Sequence, residues 1–250
     1  MKESQTGTVN LSRRLLSVAS LISKGRNVAD VGCDHGYLSI YLIEQKKANH
    51  IIATDVHKGP VMCARKNITG RCLQNKIDVR LGDGLKVVQP GEADCVVMAG
   101  MGGPLAISIL EASQDVCKQV KEFVMQPQSD IPSVRHYLVE HEYVIVDEKM
   151  VYEDGKYYQM MKAVPEAELP KEKAAEAVYE SEADFLLGKW NLIRRDRVFL
   201  DYLTKCILED EKLLGGLCRN IDSKKAADRR NEIEHRKSIY ASALQEREPI

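Results

Sequence analysis

Five short apolar runs alternate with stretches of helical length between residues 26 and 141, and this alternation leaves few folds open to the chain. The apolar runs are residues 26–32, 50–56, 78–84, 94–100 and 122–127. Helical stretches cover residues 37–47, 60–72, 103–113 and 131–141, and a further helical pattern precedes the first run. Strands that are apolar on both faces need helices on both sides of their sheet. The pattern therefore predicts an α/β fold with five parallel strands.

The segment YVIVDEKMVYEDGKYYQMMKAV, residues 143–164, breaks this alternation. Its two apolar runs flank YEDGK, which is a turn signal and is too short to hold a crossover helix. The sequence therefore predicts that an antiparallel β-hairpin closes the mostly parallel sheet. Ligands are expected at the carboxyl ends of the parallel strands.

The last third of the chain has a different composition. PEAELPKEKAAE, residues 165–176, resembles a linker, and no strand pattern follows it. Apolar residues then recur every seven positions, with a break at 220–223: Leu192, Phe199, Cys206, Leu213, Ala226, Ile233 and Tyr240. We expect a first domain over 1–164 and a helical coiled-coil hairpin domain over 165–250.

Charge and cysteine usage narrow the classes of partner and compartment. The net charge of −1 implies that any nucleic acid is held by a local basic patch. Seven cysteines without a C-x-x-C pair indicate reduced thiols and hence the cytoplasm. The sequence contains no run of 18 apolar residues, so it predicts no membrane span. No His/Cys cluster has the spacing of metal ligands.

The segment VADVGCDHGYLSIYL, residues 28–42, reads as a strand, a tight turn and the start of a helix. Gly32 and Gly36 allow a ligand to approach bare backbone amides. Asp30 and Asp34 would repel a dinucleotide pyrophosphate, and the turn lacks the full G-x-G-x-x-G pattern. We therefore expect a ligand that is neutral or cationic at this end. The alternative is a plain tight turn in which Asp34 caps the helix.

Acidic residues follow the first three strands, and S-adenosylmethionine, with its sulfonium, ammonium, ribose and adenine groups, suits them. We assign Asp30 and Asp34 to the methionyl end, Asp55 to the ribose hydroxyls and Asp83 to the adenine amine. NAD sites also place an acid after the second strand, so Asp55 alone does not discriminate. The features that favour S-adenosylmethionine over NAD are Asp34, Asp83 and the terminal hairpin.

Several motifs carry a resemblance to a known family. Besides the turn, they are LSRRL (11–15), ATDV (53–56), LGDGL (81–85), VVMAGMGGPLAISIL (96–110) and MQPQSDIPSVRHYL (125–138). With them the chain resembles the class I S-adenosylmethionine-dependent methyltransferases and, more closely, the bacterial tRNA (adenine-22-N1)-methyltransferases. The resemblance implies a Rossmann-like sheet followed by the helical domain, which would recognise tRNA. The general methyltransferase pattern has a third glycine where this chain has Asp34.

The resemblance also implies the functional residues. The cofactor set comprises Asp30, Gly32, Cys33, Asp34, Gly36, Asp55, Val56, Asp83, Gly84, Ala99 and Gly100. The residues expected to be catalytic are Asp34, His35 and Met101. The substrate set comprises Arg13, Arg14, Gly102, Gln126, Lys224 and Lys225.

Each of these assignments has a simpler alternative. AGMGG, residues 99–103, replaces the Asn/Asp-Pro-Pro-Tyr/Phe clamp of enzymes that methylate exocyclic amines, but it also suits a plain helix start. Gln126 is assigned to the Watson–Crick edge of the base or, equally, to a strand end before Pro127. His35 and the basic residues also fit solvated surfaces.

Together these features predict methyl transfer from S-adenosylmethionine to N1 of adenine 22 in tRNA. We expect a cytoplasmic monomer that uses no metal. The alternatives are a class I methyltransferase for another RNA site or a small molecule, and a protein that binds S-adenosylmethionine or RNA without turnover.

Overall fold

The computed structural model describes residues 9–217 and 224–245, and its centre is one seven-stranded sheet. The strands are β1 Arg26–Val31, β2 Ala48–Asp55, β3 Ile77–Leu81, β4 Cys95–Ala99, β5 Glu122–Gln126, β6 Tyr143–Glu153 and β7 Lys156–Pro165. Their order is β3-β2-β1-β4-β5-β7-β6, and β1 to β5 run parallel while β7 is antiparallel to both neighbours. The predicted parallel sheet closed by a hairpin is confirmed.

Helices cover the sheet in the predicted alternation. They are α1 Arg13–Leu21, α2 Tyr37–Glu44, α3 Lys58–Thr69, α4 Gly103–Glu111, the short α5 Gln114–Cys117, and α6 Ile131–Glu140. Residues of α1, α2 and α3 pack with β1 and β2 in one buried apolar cluster. Central strands such as β4 and β5 are almost fully buried, because both of their faces are covered. The strand ends therefore meet at one edge of a rigid layer.

The chain divides into two compact units, Met1–Glu180 and Ser181–Ile250, so the predicted boundary at 164/165 falls inside the first unit. The expected linker forms a 3₁₀ turn, Glu166–Glu168, and helix α7, Lys171–Glu176. Beyond α7, the Tyr179 hydroxyl donates to Glu148 Oε2 at 2.8 Å, and Arg135 Nε donates to Glu148 Oε1 at 2.7 Å. Because this buried carboxylate needs both partners, residues up to Tyr179 belong to the first unit.

The second unit is helical, as predicted. Its helices are α8 Glu182–Leu187, α9 Lys189–Arg194, α10 Arg197–Leu217 and α11 Lys224–Gln245. Arg195 bonds the carbonyl of Ala243, whereas Asp210 bonds Arg236, so α10 and α11 run antiparallel.

The apolar seam of the helical hairpin follows the seven-residue pattern only in part. Phe199, Leu203, Ile233 and Tyr240 are buried. Leu213 is 49% exposed, so its predicted place in the seam is wrong. The predicted break at 220–223 lies outside the described residues.

Candidate functional site

The turn after β1 has a backbone that requires its glycines. Gly32, Asp34 and Gly36 have φ values of +75°, +50° and +73°. The amides of Gly32 and Cys33 both donate to the Thr54 carbonyl, at 2.8 and 3.0 Å. A Cβ at Gly36 would lie 3.2 Å from the Ala64 Cβ, so no larger residue fits without displacing α3. The turn is thereby fixed against the end of β2.

Asp30 lies beneath this turn. Its side chain is buried, and its Oδ2 accepts a 2.6 Å hydrogen bond from the Ser39 hydroxyl of α2. Burial raises the pKa of the Asp30 carboxyl to about 6, while the bond from Ser39 opposes that shift. Asp30 therefore fixes the first turn of α2 and supplies a carboxyl group below the predicted methionyl position.

The raised pKa of Asp30 predicts a pH dependence of stability. Between about 4 and 6 the folded state keeps a proton that the unfolded chain has lost, so this group's contribution to the free energy of unfolding falls as pH rises. Two pKa units correspond to about 3 kcal/mol at most. In denaturant titrations, the free energy of unfolding of the protein should fall relative to that of its Asp30→Asn variant across this window and level off above it. A difference independent of pH would contradict the burial argument.

Asp55, at the end of β2, connects two loops. Its side chain is only 10% exposed. Its Oδ2 accepts from the Asp34 amide at 3.3 Å and its Oδ1 accepts from the His57 amide at 2.9 Å. These bonds orient the carboxylate toward the strand-end edge of the sheet, where a ribose diol would meet two acceptor oxygens.

Asp34 and His35 lie at the open side of the turn. The Asp34 side chain is 67% exposed, and its Oδ1 lies 3.4 Å from His35 Nε2. His35 Nδ1 lies 2.9 Å from Cys63 Sγ. Asp34 is therefore available to a bound ligand and does not cap α2, since Gly36 is the N-cap and no side chain caps that helix.

The loop after β3 is joined to the same edge. Thr54 Oγ1 donates to the Gly84 carbonyl at 3.1 Å, and a Cβ at Gly84 would lie 2.8 Å from Ile109 of α4. Asp83 is half exposed and accepts from Lys86 Nζ at 2.6 Å. Val56, 58% exposed, offers an apolar surface beside Asp55. These residues suit an adenine ring with its amine toward Asp83.

The AGMGG loop packs on the turn after β1 and on the loop after β5. The Met101 methyl lies 3.3 Å from where a Gly32 Cβ would stand. A Cβ at Gly103 would lie 2.6 Å from the Ser129 carbonyl, and one at Gly102 would lie 3.2 Å from the Ser129 hydroxyl. Gly100, at φ +91°, donates its amide to the Gln126 carbonyl at 3.0 Å. Ala99, at the end of β4, completes this wall of the site.

Gln126 is placed differently from its predicted role at the base edge. Its side chain is fully buried, its Oε1 accepts from Arg14 Nη1 at 2.6 Å, and its Nε2 donates to the Pro127 carbonyl at 3.2 Å. Both ends of the amide thus have partners within the chain. Arg14 also lies 5.5 Å from the Tyr158 ring centroid and 3.5 Å from where a Gly100 Cβ would be. The guanidinium of Arg14, held by Gln126, is thus a charged group beside Gly100 at this side of the site.

The remaining predicted substrate residues are dispersed. Arg13 is exposed beside Arg14, and its amide donates to Glu153 at 2.6 Å. Lys224 and Lys225 belong to α11, in the second compact unit. The site described above is thus formed by the first unit.

Three residues of the site were not singled out from the sequence. Thr54 and Ser39 are buried and hold the turn after β1 through the bonds described above. Tyr37, the first residue of α2, is 46% exposed, and its ring centroid lies 5.8 Å from that of His35. A polar residue within an apolar strand and an aromatic residue directly after a glycine turn are the signals that point to Thr54 and Tyr37.

Over 9–217 and 224–245, no group of three or more His, Cys, Asp or Glu side chains is arranged to hold a metal ion. Within the same ranges no helix combines the length and apolar character needed to cross a bilayer.

Comparison with known proteins identifies the class of domain. A family model described as a methyltransferase domain matches residues 11–161. Sheet order, glycine turn and acidic strand ends together define a class I methyltransferase fold.

Individual relatives narrow the family. The Bacillus subtilis (strain 168) tRNA (adenine(22)-N(1))-methyltransferase is 32% identical over 236 residues, which is 94% of this chain and 98% of the relative. The crystal structure of the B. subtilis M1A22 tRNA methyltransferase superposes with a TM-score of 0.84 at 30% identity, covering 95% of this chain and 100% of that one. The M. capricolum TrmK complex with S-adenosylhomocysteine gives 0.79 at 25% identity, covering 94% and 97%. The chain belongs to the tRNA (adenine(22)-N(1))-methyltransferase family.

Proposed function

We propose that this protein transfers the methyl group of S-adenosylmethionine to N1 of adenine 22 in tRNA. The observation that carries the proposal is the carboxylate-rich edge at Asp30, Asp34 and Asp55, fixed around the glycine turn in a chain whose relatives carry this activity. The residues fit the cofactor, since a cationic methionyl end meets carboxyl groups and a ribose meets the nearly buried Asp55.

In this proposal the protein acts mainly by positioning. S-adenosylmethionine supplies an electrophilic methyl group; the new bond joins that carbon to adenine N1, and the broken carbon–sulfur bond leaves its electron pair on sulfur. Adenine N1 already has an in-plane lone pair, so no base is needed to remove a proton. Holding the reacting atoms in line can contribute roughly 7 to 11 kcal/mol.

The residues around the acceptor base have distinct tasks. Gly100, Met101 and Gly102 admit the base to the AGMGG loop, and the exposed ring of Tyr37 offers it a stacking surface. Asp34 stabilises the positive charge that moves onto adenine as the methyl group transfers. His35, close to both Asp34 and Tyr37, holds these two side chains at the open side of the turn after β1.

The experiment is methyl transfer to matched transcripts. Purified protein with labelled S-adenosylmethionine should modify unmodified tRNA that carries A22, and nucleoside mass spectrometry should identify the product as N1-methyladenosine. The same tRNA with guanine at position 22 should take up no label. Equal labelling of both transcripts, or a product other than N1-methyladenosine, would refute the proposed site of action.

We further propose that the helical unit reads tRNA shape, because a class I core alone offers little surface to a folded RNA. Truncation after Glu180, the end of the first compact unit, should weaken tRNA binding at least tenfold and leave the Kd for S-adenosylmethionine within about twofold. Retained tRNA affinity in the truncated protein would count against this role. The tRNA substrate and the six free cysteines of the described chain support a cytoplasmic location.

A further inference from the structure

Helix α1 runs beside β5 from the candidate site to the opposite edge of the sheet. At its N-terminal end Arg14 bonds Gln126, the last residue of β5, at 2.6 Å. Past its C-terminal end the Ser23 amide bonds Glu122, the first residue of β5, at 2.8 Å. The nine residues of α1 rise about 13 Å, and the five residues of β5 extend over about the same length.

Basic side chains lie at both ends of α1. Arg13 and Arg14 lie at the end next to the site. At the other end Lys149 Nζ donates to Ser20 Oγ at 2.7 Å, and Lys47 Nζ donates to the Ala19 carbonyl at 2.5 Å. Lys24 follows the helix and is exposed. We call this set the α1 basic surface: Arg13, Arg14, Lys24, Lys47 and Lys149.

The lysines of the α1 basic surface lack direct counter-ions. Near the lysines, Glu122 is buried, and Lys162 Nζ occupies its Oε2 at 2.9 Å. At the other end, the Glu153 carboxylate accepts from the backbone amides of Arg13 and Arg14. Among the described residues, no carboxylate lies within 4.0 Å of the amino groups of Lys24, Lys47 or Lys149. Burial lowers the pKa of Lys47, and the neighbouring ammonium groups of Lys149, Lys24 and Lys162 lower it further. Positive charge is thus concentrated here although the whole chain carries −1.

Several cations of the helical unit, in contrast, are paired with carboxylates. Arg229 pairs with Glu232 at 2.7 Å, Arg230 with Glu234 at 2.8 Å, and Lys237 with Glu211 at 2.8 Å. Ion pairs of this kind neutralise a surface locally, so they leave little net charge for a polyanion. The α1 basic surface is therefore better suited to bind phosphates than the paired cations of α11.

We propose that the α1 basic surface binds the phosphate backbone of the tRNA whose base enters the candidate site. The proposal rests on the proposed function and adds to it the path of the RNA over the first unit. Lysines and arginines that neutralise phosphates release the counterions condensed on the RNA, which favours binding, and such contacts place the RNA without reading its sequence. An alternative is that the lysines only stabilise the C-terminal end of α1 through its dipole. That role would affect thermal stability and would leave the salt dependence of tRNA binding unchanged.

The test compares two triple variants of the full chain. Lys24→Gln, Lys47→Gln and Lys149→Gln together remove three charges from the α1 basic surface and keep a hydrogen-bond donor at each position. The control removes three charges from exposed lysines elsewhere in the first unit: Lys66, Lys76 and Lys118, each replaced by Gln. The Kd for an A22 tRNA transcript is measured from 0.05 to 0.3 M salt, and the Kd for S-adenosylmethionine is measured alongside.

In the first variant the slope of log Kd against log salt should decrease by about two to three, because each lost phosphate contact removes roughly 0.7 to 0.9. The control should keep the wild-type slope, and both variants should bind S-adenosylmethionine as the wild type does. A first variant with the control's slope would overturn the proposal. If the triple variant unfolds, Lys24→Glu at an exposed position should still decrease the slope by about one. If the slopes differ between the variants as expected but the wild-type protein forms no N1-methyladenosine, only the proposed function is refuted.

Discussion

Replacing Asp55 with alanine should weaken S-adenosylmethionine binding by about two to four orders of magnitude. The carboxylate is nearly buried at the end of β2, and the proposed complex gives it both ribose hydroxyls. Hydrogen bonds to a charged group contribute about 1.5 to 3 kcal/mol each, so the loss of two predicts a decrease of this size. The substitution also frees the amides of Asp34 and His57, which loosens the turn that is proposed to hold the methionyl end. Isothermal titration calorimetry measures the effect directly.

One further variant separates charge from packing at Asp55, and a second, at a distant carboxylate, serves as the control. Asp55→Asn retains the shape but loses the negative charge and one acceptor oxygen, and it should show an intermediate loss. Asp115→Ala removes a highly exposed carboxylate from the same unit and should leave the Kd unchanged. If Asp55→Ala bound S-adenosylmethionine within about threefold of the wild type while remaining folded, the ribose assignment would be wrong.

Asp34→Asn should reduce turnover by about 10- to 100-fold and change the Kd for S-adenosylmethionine by less than about threefold. Asp34 occupies a left-handed backbone conformation, which asparagine also tolerates, so the turn should keep its shape. The side chain is mostly exposed at the open side of the turn after β1, where we propose that the positively charged product base forms. Removing its charge therefore affects the transition state more than the bound cofactor. Single-turnover kinetics with saturating tRNA gives the rate, and calorimetry gives the Kd.

The opposite pattern would exclude a role for Asp34 in the methyl transfer itself. A large increase in the Kd with an unchanged single-turnover rate would show that the carboxylate only helps to hold the methionyl end and does not stabilise the charge on the base. Asp83→Asn, at the predicted adenine position, serves as the comparison, because it should change the Kd and spare the rate of the saturated complex.

The sheet could be predicted from the sequence because its signals are local. Apolar runs of strand length, glycines at turns and the EDG turn between β6 and β7 each depend on a few neighbouring residues. The same edge of the sheet then collects the residues after β1, β2 and β3, so the proximity of Asp30, Asp34 and Asp55 also follows from topology.

The features that sequence reasoning missed depend on contacts between distant residues. Tyr179 belongs to the first unit because its hydroxyl reaches Glu148, a contact that the acidic, proline-bracketed composition of residues 165–176 does not reveal. Gln126 has the residue type expected at a base edge, but Arg14 approaches it from α1 and occupies its oxygen. The functional roles of the individual site residues stay predictions until the variants above are measured.

A calorimetric comparison of S-adenosylmethionine with NAD on the wild-type protein tests most directly whether carboxylates at the strand ends select a cationic ligand. The account predicts saturable binding of S-adenosylmethionine and an affinity for NAD at least a hundredfold weaker, because the pyrophosphate would meet Asp30 and Asp34. Tighter binding of NAD than of S-adenosylmethionine would contradict it.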